Sequence, residues 1–329
     1  MKVVITGGAG FLGSRLARHL AGRGHLVGPS GKSEAIDEIV LFDTGPASAM
    51  PGKVRVRSVA GDVADPAHMR ALISPGTGAV FHLAAVVSGG AEADFDLGYR
   101  VNLDGTRNVL DAARALGTKP RLLFASSVAV FGGKIPIMVS DDTALTPETS
   151  YGNHKAIGEF LVNDFSRKGF IDGRSVRLPT IVVRPGKPNK AASSFASGII
   201  REPLTGVATT CPVPASTRMP LMGPRRLVDA FIAAIEAPTA TFGATRAMTL
   251  PSLSATVEEM LEAMRRVCGP KPLARVKMVI DPVIDRIVKT WPQATDSALA
   301  RRIGVRIDAS VEDIIKAFIE DDLGGKPVL

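Results

Sequence analysis

The chain has 329 residues, 45% hydrophobic and 22% charged, enough for one large domain or two modest ones with an ample core, which excludes a disordered chain. Its 40 basic and 32 acidic residues leave a formal charge of +8, but the basic residues form isolated pairs (Arg225-Arg226, Arg265-Arg266, Arg301-Arg302) without aromatic interleaving. No nucleic-acid partner is therefore expected, and the positive field suits a small anionic substrate better.

In chain order, "KVVIT" reads as a short β-branched strand, "GGAGFLG" as a turn and "SRLARHLAGRG" as a helix. "EIVLFD", "VRVRSV" and "AVFHLAA" follow as buried strands, then a long helix from about Asp94 to Leu116. "RLLFASS" is a strand, and Tyr151 to Phe165 a helix. Past about Thr180 the segments "VVRPGKPNKAASSF" and "CPVPASTRMPLMGP" look like loops, and helices return at Arg226–Ile235, Thr256–Val267, Pro282–Lys289 and Val311–Ile319. "TRAMTL" reads as a last strand that rejoins the sheet. Strands alternating with helices predict an α/β fold, a Rossmann-type doubly wound parallel sheet. The expected division is a dinucleotide-binding domain over 1–180 and a smaller C-terminal substrate-binding subdomain over 181–329, with about 226–250 returning to the sheet. No apolar run approaches the length of a membrane span, and "MKVVITGGAG" enters a strand at once without a leader-like apolar region. Cys211 and Cys268 match neither disulfide nor metal spacing, so a cytoplasmic protein without a metal is expected.

Gly7, Gly10 and Gly13 stand where the first strand meets its helix. There, glycines let a turn close, a pyrophosphate approach the backbone and the helix pack on the strand, with the helix N-terminus facing the phosphates. Asp43, at the end of the second strand, suits the adenosine ribose hydroxyls and hence NAD, although the inserted "GPSGKSEAIDE" lengthens its distance from the glycines. A turn-capping aspartate is the alternative there. Asp62 and Val63, in "GDV", follow the third strand and suit the adenine, and a helix cap fits Asp62 equally well.

Ser126 and Ser127 lie just past the carboxyl end of a buried strand, where open parallel sheets bind ligands, and Tyr151 and Lys155 follow one helical turn apart. Tyr-x-x-x-Lys alone means little, but the serines and the glycine turn converge on the same edge. Oxidising a secondary alcohol needs a base for the hydroxyl proton and an acceptor for the hydride. A free phenol with a pKa of about 10 is a poor base at neutral pH, and an ammonium nearby would favour the phenolate.

Taken together, TGGAGFLG, the acid after the second strand, FHLAA, VNLDGTRNVLDAA, SSVAVFG and YGNHK resemble an extended short-chain dehydrogenase/reductase, closely over the first half of the chain and loosely beyond. The resemblance implies Ser127, Tyr151 and Lys155 as catalytic residues, with Asn102 as a helper that fixes its helix. It implies that NAD is held by Gly7, Gly10, Phe11, Leu12, Gly13, Asp43, Asp62, Val63, Leu83, Ala84, Ala85, Tyr151, Lys155, Pro179 and Ile181. It also implies a homodimer through the helix around Asn102 and the helix carrying Tyr151.

Most extended members act on nucleotide sugars and have an Asn near the position of Thr180. The departure there, and the run "RLPTIVVRPGKPNKAASSF", resemble instead a branch of the family that oxidises a four-carbon sugar acid at C2 with NAD. Ser88, Ser127, Tyr151, Asn189, Ser194 and Arg218 are then candidates for the substrate site, with Lys190 and Ser193 beside them in the loop. Two alternatives stay open: a nucleotide-sugar epimerase or dehydratase, and a non-catalytic dinucleotide sensor. Intact Ser127, Tyr151 and Lys155 count against the sensor.

Overall fold

A computed structural model describes residues 1–50, 52–188 and 191–328. Its strands, in chain order, are β1 (Lys2–Thr6), β2 (Glu38–Asp43), β3 (Arg55–Ala60), β4 (Thr77–His82), β5 (Arg121–Ser127), β6 (Asp172–Leu178), β7 (Thr180–Ile181), β8 (Arg218–Met222), β9 (Ala247–Thr249) and β10 (Leu253–Thr256). The helices are α1 (Phe11–Arg23), α2 (Pro66–Leu72), α3 (Gly105–Ala115), α4 (Ser150–Arg167), α5 (Ser194–Leu204), α6 (Pro224–Glu236), α7 (Val257–Cys268), α8 (Pro282–Val288) and α9 (Val311–Asp322).

Seven strands form one parallel sheet in the order β9-β6-β5-β4-β1-β2-β3. The order reverses between β1 and β4, the crevice where doubly wound sheets bind nucleotides at their carboxyl edge. β9 pairs in parallel with β6, Ala247 opposite Ser175, so the "TRAMTL" segment does rejoin the sheet.

The β1 run "KVVIT" is apolar on both sides of its pleat because both faces are covered. Val3 and Ile5 pack with Leu16 and Leu20 of α1 and Phe231 of α6. Val4 faces the other way, into a cluster with Phe124, Val109 and Leu110 of α3 and Val162 of α4. A further cluster is built by the later chain, with Phe195, Ile199, Met219, Leu221, Met260, Met264 and Phe318 at its centre.

Three local readings change. β3 is not a buried strand but the exposed edge, and Arg55 and Arg57 reach back to Glu38 on β2. The insertion ahead of β2 is a hairpin, His25–Val27 paired antiparallel with Ser33–Ala35, which separates Asp43 from the glycines in sequence without moving it in space. The long helix between Asp94 and Leu116 is interrupted by a π-helical stretch, Tyr99–Asp104, that carries Asn102. Among the described residues no helix is long and apolar enough to cross a membrane.

Candidate active site

The carboxyl edge of the sheet opens into a cavity of about 380 Å³, within the range of small-ligand sites. One wall is the turn after β1. Gly7, Gly10, Phe11, Leu12 and Gly13 line it, and a Cβ on Gly13 would overlap the carbonyl oxygen of Gly7, so the helix start and the turn touch backbone to backbone. No side chain caps the N-terminus of α1. Its first-turn N–H groups and the positive end of the helix dipole therefore suit a pyrophosphate, and these residues fit a dinucleotide. Leu83 and Ala85 line the same cavity beyond β4, as do Pro179 and Ile181 beyond β6.

The neighbouring serines at the end of β5 do different work. Ser126 Oγ donates to Glu159 at 2.5 Å, in the core. Ser127 faces the cavity beside Tyr151, whose phenol it favours in the charged form, and caps the single 3-10 turn Val128–Val130 by accepting from the Ala129 amide at 3.1 Å. Tyr151 reaches it because α4 begins close by. Thr149 caps α4 by accepting from the Gly152 amide at 3.1 Å, and a Cβ on Gly152 would overlap the carbonyl oxygen of Ala129. Lys155 lies one turn further along, its Nζ donating to the Ala125 carbonyl at 2.7 Å and standing 5.5 Å from the centre of the Tyr151 ring.

Burial dominates the electrostatics of this pair. Burial pushes the Tyr151 phenol up to about 12, and what opposes burial is the Ser127 hydrogen bond and then the charge of Arg184. Burial also pulls Lys155 down to about 7, against the pull of Glu159. Both groups have lost water, so each resists charging, and the charge of Arg184 favours the phenolate. His82, behind the cavity, is drawn down to about 3 by burial and then by Lys155. It bridges Thr6 Oγ1 (2.7 Å) and Thr106 Oγ1 (2.9 Å), and the Thr106 hydroxyl donates to the Asn102 carbonyl at 2.7 Å.

The other sequence candidates sit in several places. Asn102 is buried below the cavity, where its side chain accepts from the Val86 amide at 2.7 Å and donates to the Val86 carbonyl at 3.0 Å, pinning the loop after β4 to the π-helical stretch. Asp43 accepts from the Ala9 amide at 3.1 Å and the Thr44 amide at 2.8 Å, so it also ties β2 to the glycine turn. Ala84 joins that support through its amide, 3.3 Å from Thr6 Oγ1. Asp62 caps its own turn through the Ala64 amide and pairs with Arg100, and Val63 is buried against α3.

Among the substrate candidates, Ser88 lines the cavity, and so does Ser193 in place of Ser194, which borders a neighbouring groove. Asn189 and Lys190 lie outside the described residues. Arg218 is not brought to the cavity. It sits at the start of β8, donating to the Ser254 carbonyl at 3.0 Å and to Glu259 at 3.1 Å, because the second small sheet turns it toward α7. The residues missed were Arg184 and Trp291, which line the cavity with Ile287 of α8. Arg184 had a signal, a lone cation ending the apolar run "IVVR" just before Pro-Gly. Trp291 had none, since it arrives from far along the chain.

The model of the NAD dependent epimerase/dehydratase family matches residues 3–244. The chain is 54% identical to the D-erythronate dehydrogenase of Cupriavidus necator over 321 residues, 98% of each chain. It is 44% identical to the D-erythronate dehydrogenase of Haemophilus influenzae, over 98% of this chain and all of that one. Among solved structures, the nucleoside-diphosphate-sugar epimerase from Agrobacterium tumefaciens superposes with a TM-score of 0.92 at 42% identity, over 99% of this chain and 95% of that one.

The contact at Gly152 sets how close Tyr151 comes to Ser127. Gly152→Ala is expected to cost about 1–3 kcal/mol in denaturant unfolding, the usual scale for overpacking, and to lower turnover at least about tenfold by moving the phenol. Wild-type kinetics in a folded variant would show that this contact does not position Tyr151.

Proposed function

This chain belongs to the NAD dependent epimerase/dehydratase family, and we propose that it oxidises the C2 hydroxyl of a small sugar acid, D-erythronate, with NAD to give the 2-oxo acid. The chemistry rests on one observation: the Ser127–Tyr151 pair stands in a cavity that runs to the glycine turn at the start of α1. The substrate rests on the two D-erythronate dehydrogenases matched over nearly their full length.

In this reading the C2 hydroxyl lies against Tyr151 and Ser127. Ser127 holds the reacting oxygen, and Tyr151 Oη, having first lost its own proton to solvent, takes the hydroxyl proton as the phenolate while the carbonyl forms. NAD, when bound, supplies the hydride acceptor and a positive ring beside the phenol. Because burial holds Tyr151 near 12, the groups that pull it down are part of the mechanism, namely Ser127 and Arg184 in the cavity itself. Lys155, anchored on Ala125, is placed to hold the nicotinamide ribose. The segment from 181 on is assigned the substrate side, with Arg184, Ser193, Ile287 and Trp291 as its share of the wall.

Purified enzyme should reduce NAD with D-erythronate, with no comparable rate on UDP- or dTDP-sugars. Tyr151→Phe should lower kcat at least about a hundredfold with the fold intact, the scale of general-base loss. A nucleotide-sugar turnover without net NADH would replace this reading with the epimerase one. Near-normal turnover in the variant would remove Tyr151 from the mechanism.

Asp43 supports NAD over NADP. Its carboxylate is half-exposed with capacity left beyond the Ala9 and Thr44 amides, so it can accept from ribose hydroxyls and would repel a 2′-phosphate. At least about tenfold higher kcat/KM with NAD is expected, roughly 1.4 kcal/mol of discrimination. Equal values would leave Asp43 a residue of the turn alone.

Phe95, Tyr99, Ile157 and Phe160 are exposed on the helical run around Asn102 and on α4, with Phe160 at 64% and Phe95 at 57%. Such a patch supports a homodimer through these faces. Light scattering should give a mass twice that of the chain, and Phe160→Glu should shift it to monomer. A wild-type monomer at micromolar concentration would rule the dimer out.

A further inference from the structure

The described residues place two cations in the wall of the cavity, Lys155 and Arg184. Lys155 gives one donor to the Ala125 carbonyl, and in the proposed reading its others hold the nicotinamide ribose. Arg184 is held by its backbone instead. Its amide donates to the buried Ser197 hydroxyl at 3.0 Å, and its carbonyl accepts from the buried Arg201 guanidinium at 2.7 Å. The strand end and α5 therefore fix where the side chain starts and leave the fork of donors to the cavity. Its side chain makes a long contact, Nη2 to Ser193 Oγ at 3.5 Å.

Nearby arginines have their acids: Arg177 pairs with Glu159 at 2.9 Å and Arg201 with Glu202 at 2.5 Å. Among the described residues no carboxylate lies within ion-pair distance of Arg184. Burial, and next the Arg201 charge, hold its guanidinium below the usual arginine range. A half-buried cation with five donors and no acid is short of an anion. The proposed reaction brings one.

We propose, resting on the functional reading above, that Arg184 binds the carboxylate of the substrate, with the Ser88 and Ser193 hydroxyls completing the seat. A planar guanidinium meets a carboxylate through two parallel hydrogen bonds, which fixes orientation as well as charge. With the acid group held there and the hydroxyl at Tyr151 and Ser127, the carbon between them is the one that gives up hydride. The arrangement assigns to Arg184 the role that the sequence suggested for Arg218, and it makes the anchor of the acid the same group that acts on the phenol.

The test compares D-erythronate with its uncharged amide in the wild type, Arg184→Met and Arg184→Lys, following kcat/KM with NAD and binding of each compound to the enzyme–NADH complex by calorimetry. In calorimetry Arg184→Met should lose at least about a hundredfold in affinity for the acid while affinity for the amide stays within about threefold, because only the acid loses its partner. Arg184→Lys should fall between wild type and Arg184→Met on the acid, since an ammonium keeps the charge without the fork. If Arg184→Met does not fold, the Lys variant carries the same comparison. Equal losses on acid and amide, or undiminished acid binding in either folded variant, would overturn the assignment of Arg184. A wild-type enzyme inactive on D-erythronate would sink the functional reading instead, and the two failures are thereby told apart.

Discussion

The site depends on a buried ion pair that touches no substrate. Glu159, one turn beyond Lys155 on α4, accepts from Arg177 of β6 at 2.9–3.1 Å and from Ser126 of β5 at 2.5 Å. Arg177 also donates to the Asp141 carbonyl and to Thr249 of β9. One pair thus joins α4 to three adjacent strands. Two charges in the core are costly unless every lone pair is used, and here they are used. Removing one partner of such a pair typically costs about 3–5 kcal/mol, because the other is left charged and unpaired. The catalytic helix can therefore dock in few other ways.

That docking explains the division of labour between the two serines. Adjacent residues of a strand point to opposite faces. With the Ser126 hydroxyl given to the Glu159–Arg177 pair, Ser127 on the other face of the pleat is the serine left for the site, although both residues border the cavity. The start of α4 is pressed onto Ala129 at Gly152 and held at its other turn by Glu159, so Tyr151 and Lys155 are fixed from both ends. The cost is loss of water, which holds the phenol near 12 and the lysine near 7. A cavity that resists both charges gains most from opposite charges delivered by ligands, since each is felt strongly where water is excluded.

What could be read from the sequence was what is local. The glycine turn, the strand ends and the Tyr151–Lys155 spacing lie within short segments whose periodicity survives folding, and the sheet follows from their alternation. What was missed depends on which distant segments meet. Arg218 and Arg184 both stand among Pro-rich residues and look alike as loop cations. Pairing of β8 with β10 sends one to Glu259, while the Ser197 and Arg201 clamps aim the other at the cavity. β3 looked buried because Val alternates with Arg, but its place at the sheet edge exposes it. Part of the basic excess is paired for a related reason. Arg225, Arg266 and Arg301 each find an acid once the chain is folded: Glu320 at 2.9 Å, Glu312 at 2.6 Å and Asp296.

In the proposed reading the sheet edge would supply the redox chemistry and the later chain the selection. The glycine turn, Ser127, Tyr151 and Lys155 come from β1, β5 and α4, and this part of the cavity would serve any secondary alcohol placed against it. Arg184, Ser193, Ile287 and Trp291 come from segments anchored in the separate core around Phe195 and Met260. A solved relative with a TM-score of 0.92 carries the name of a nucleotide-sugar enzyme, while relatives matched end to end are named for a four-carbon acid. Backbone likeness therefore cannot decide between them. A diphosphate and a carboxylate are both anions, but they sit at different distances from the reacting carbon. In the proposed reading the decision falls to where the cation stands, and Arg184 lines the same cavity as Tyr151.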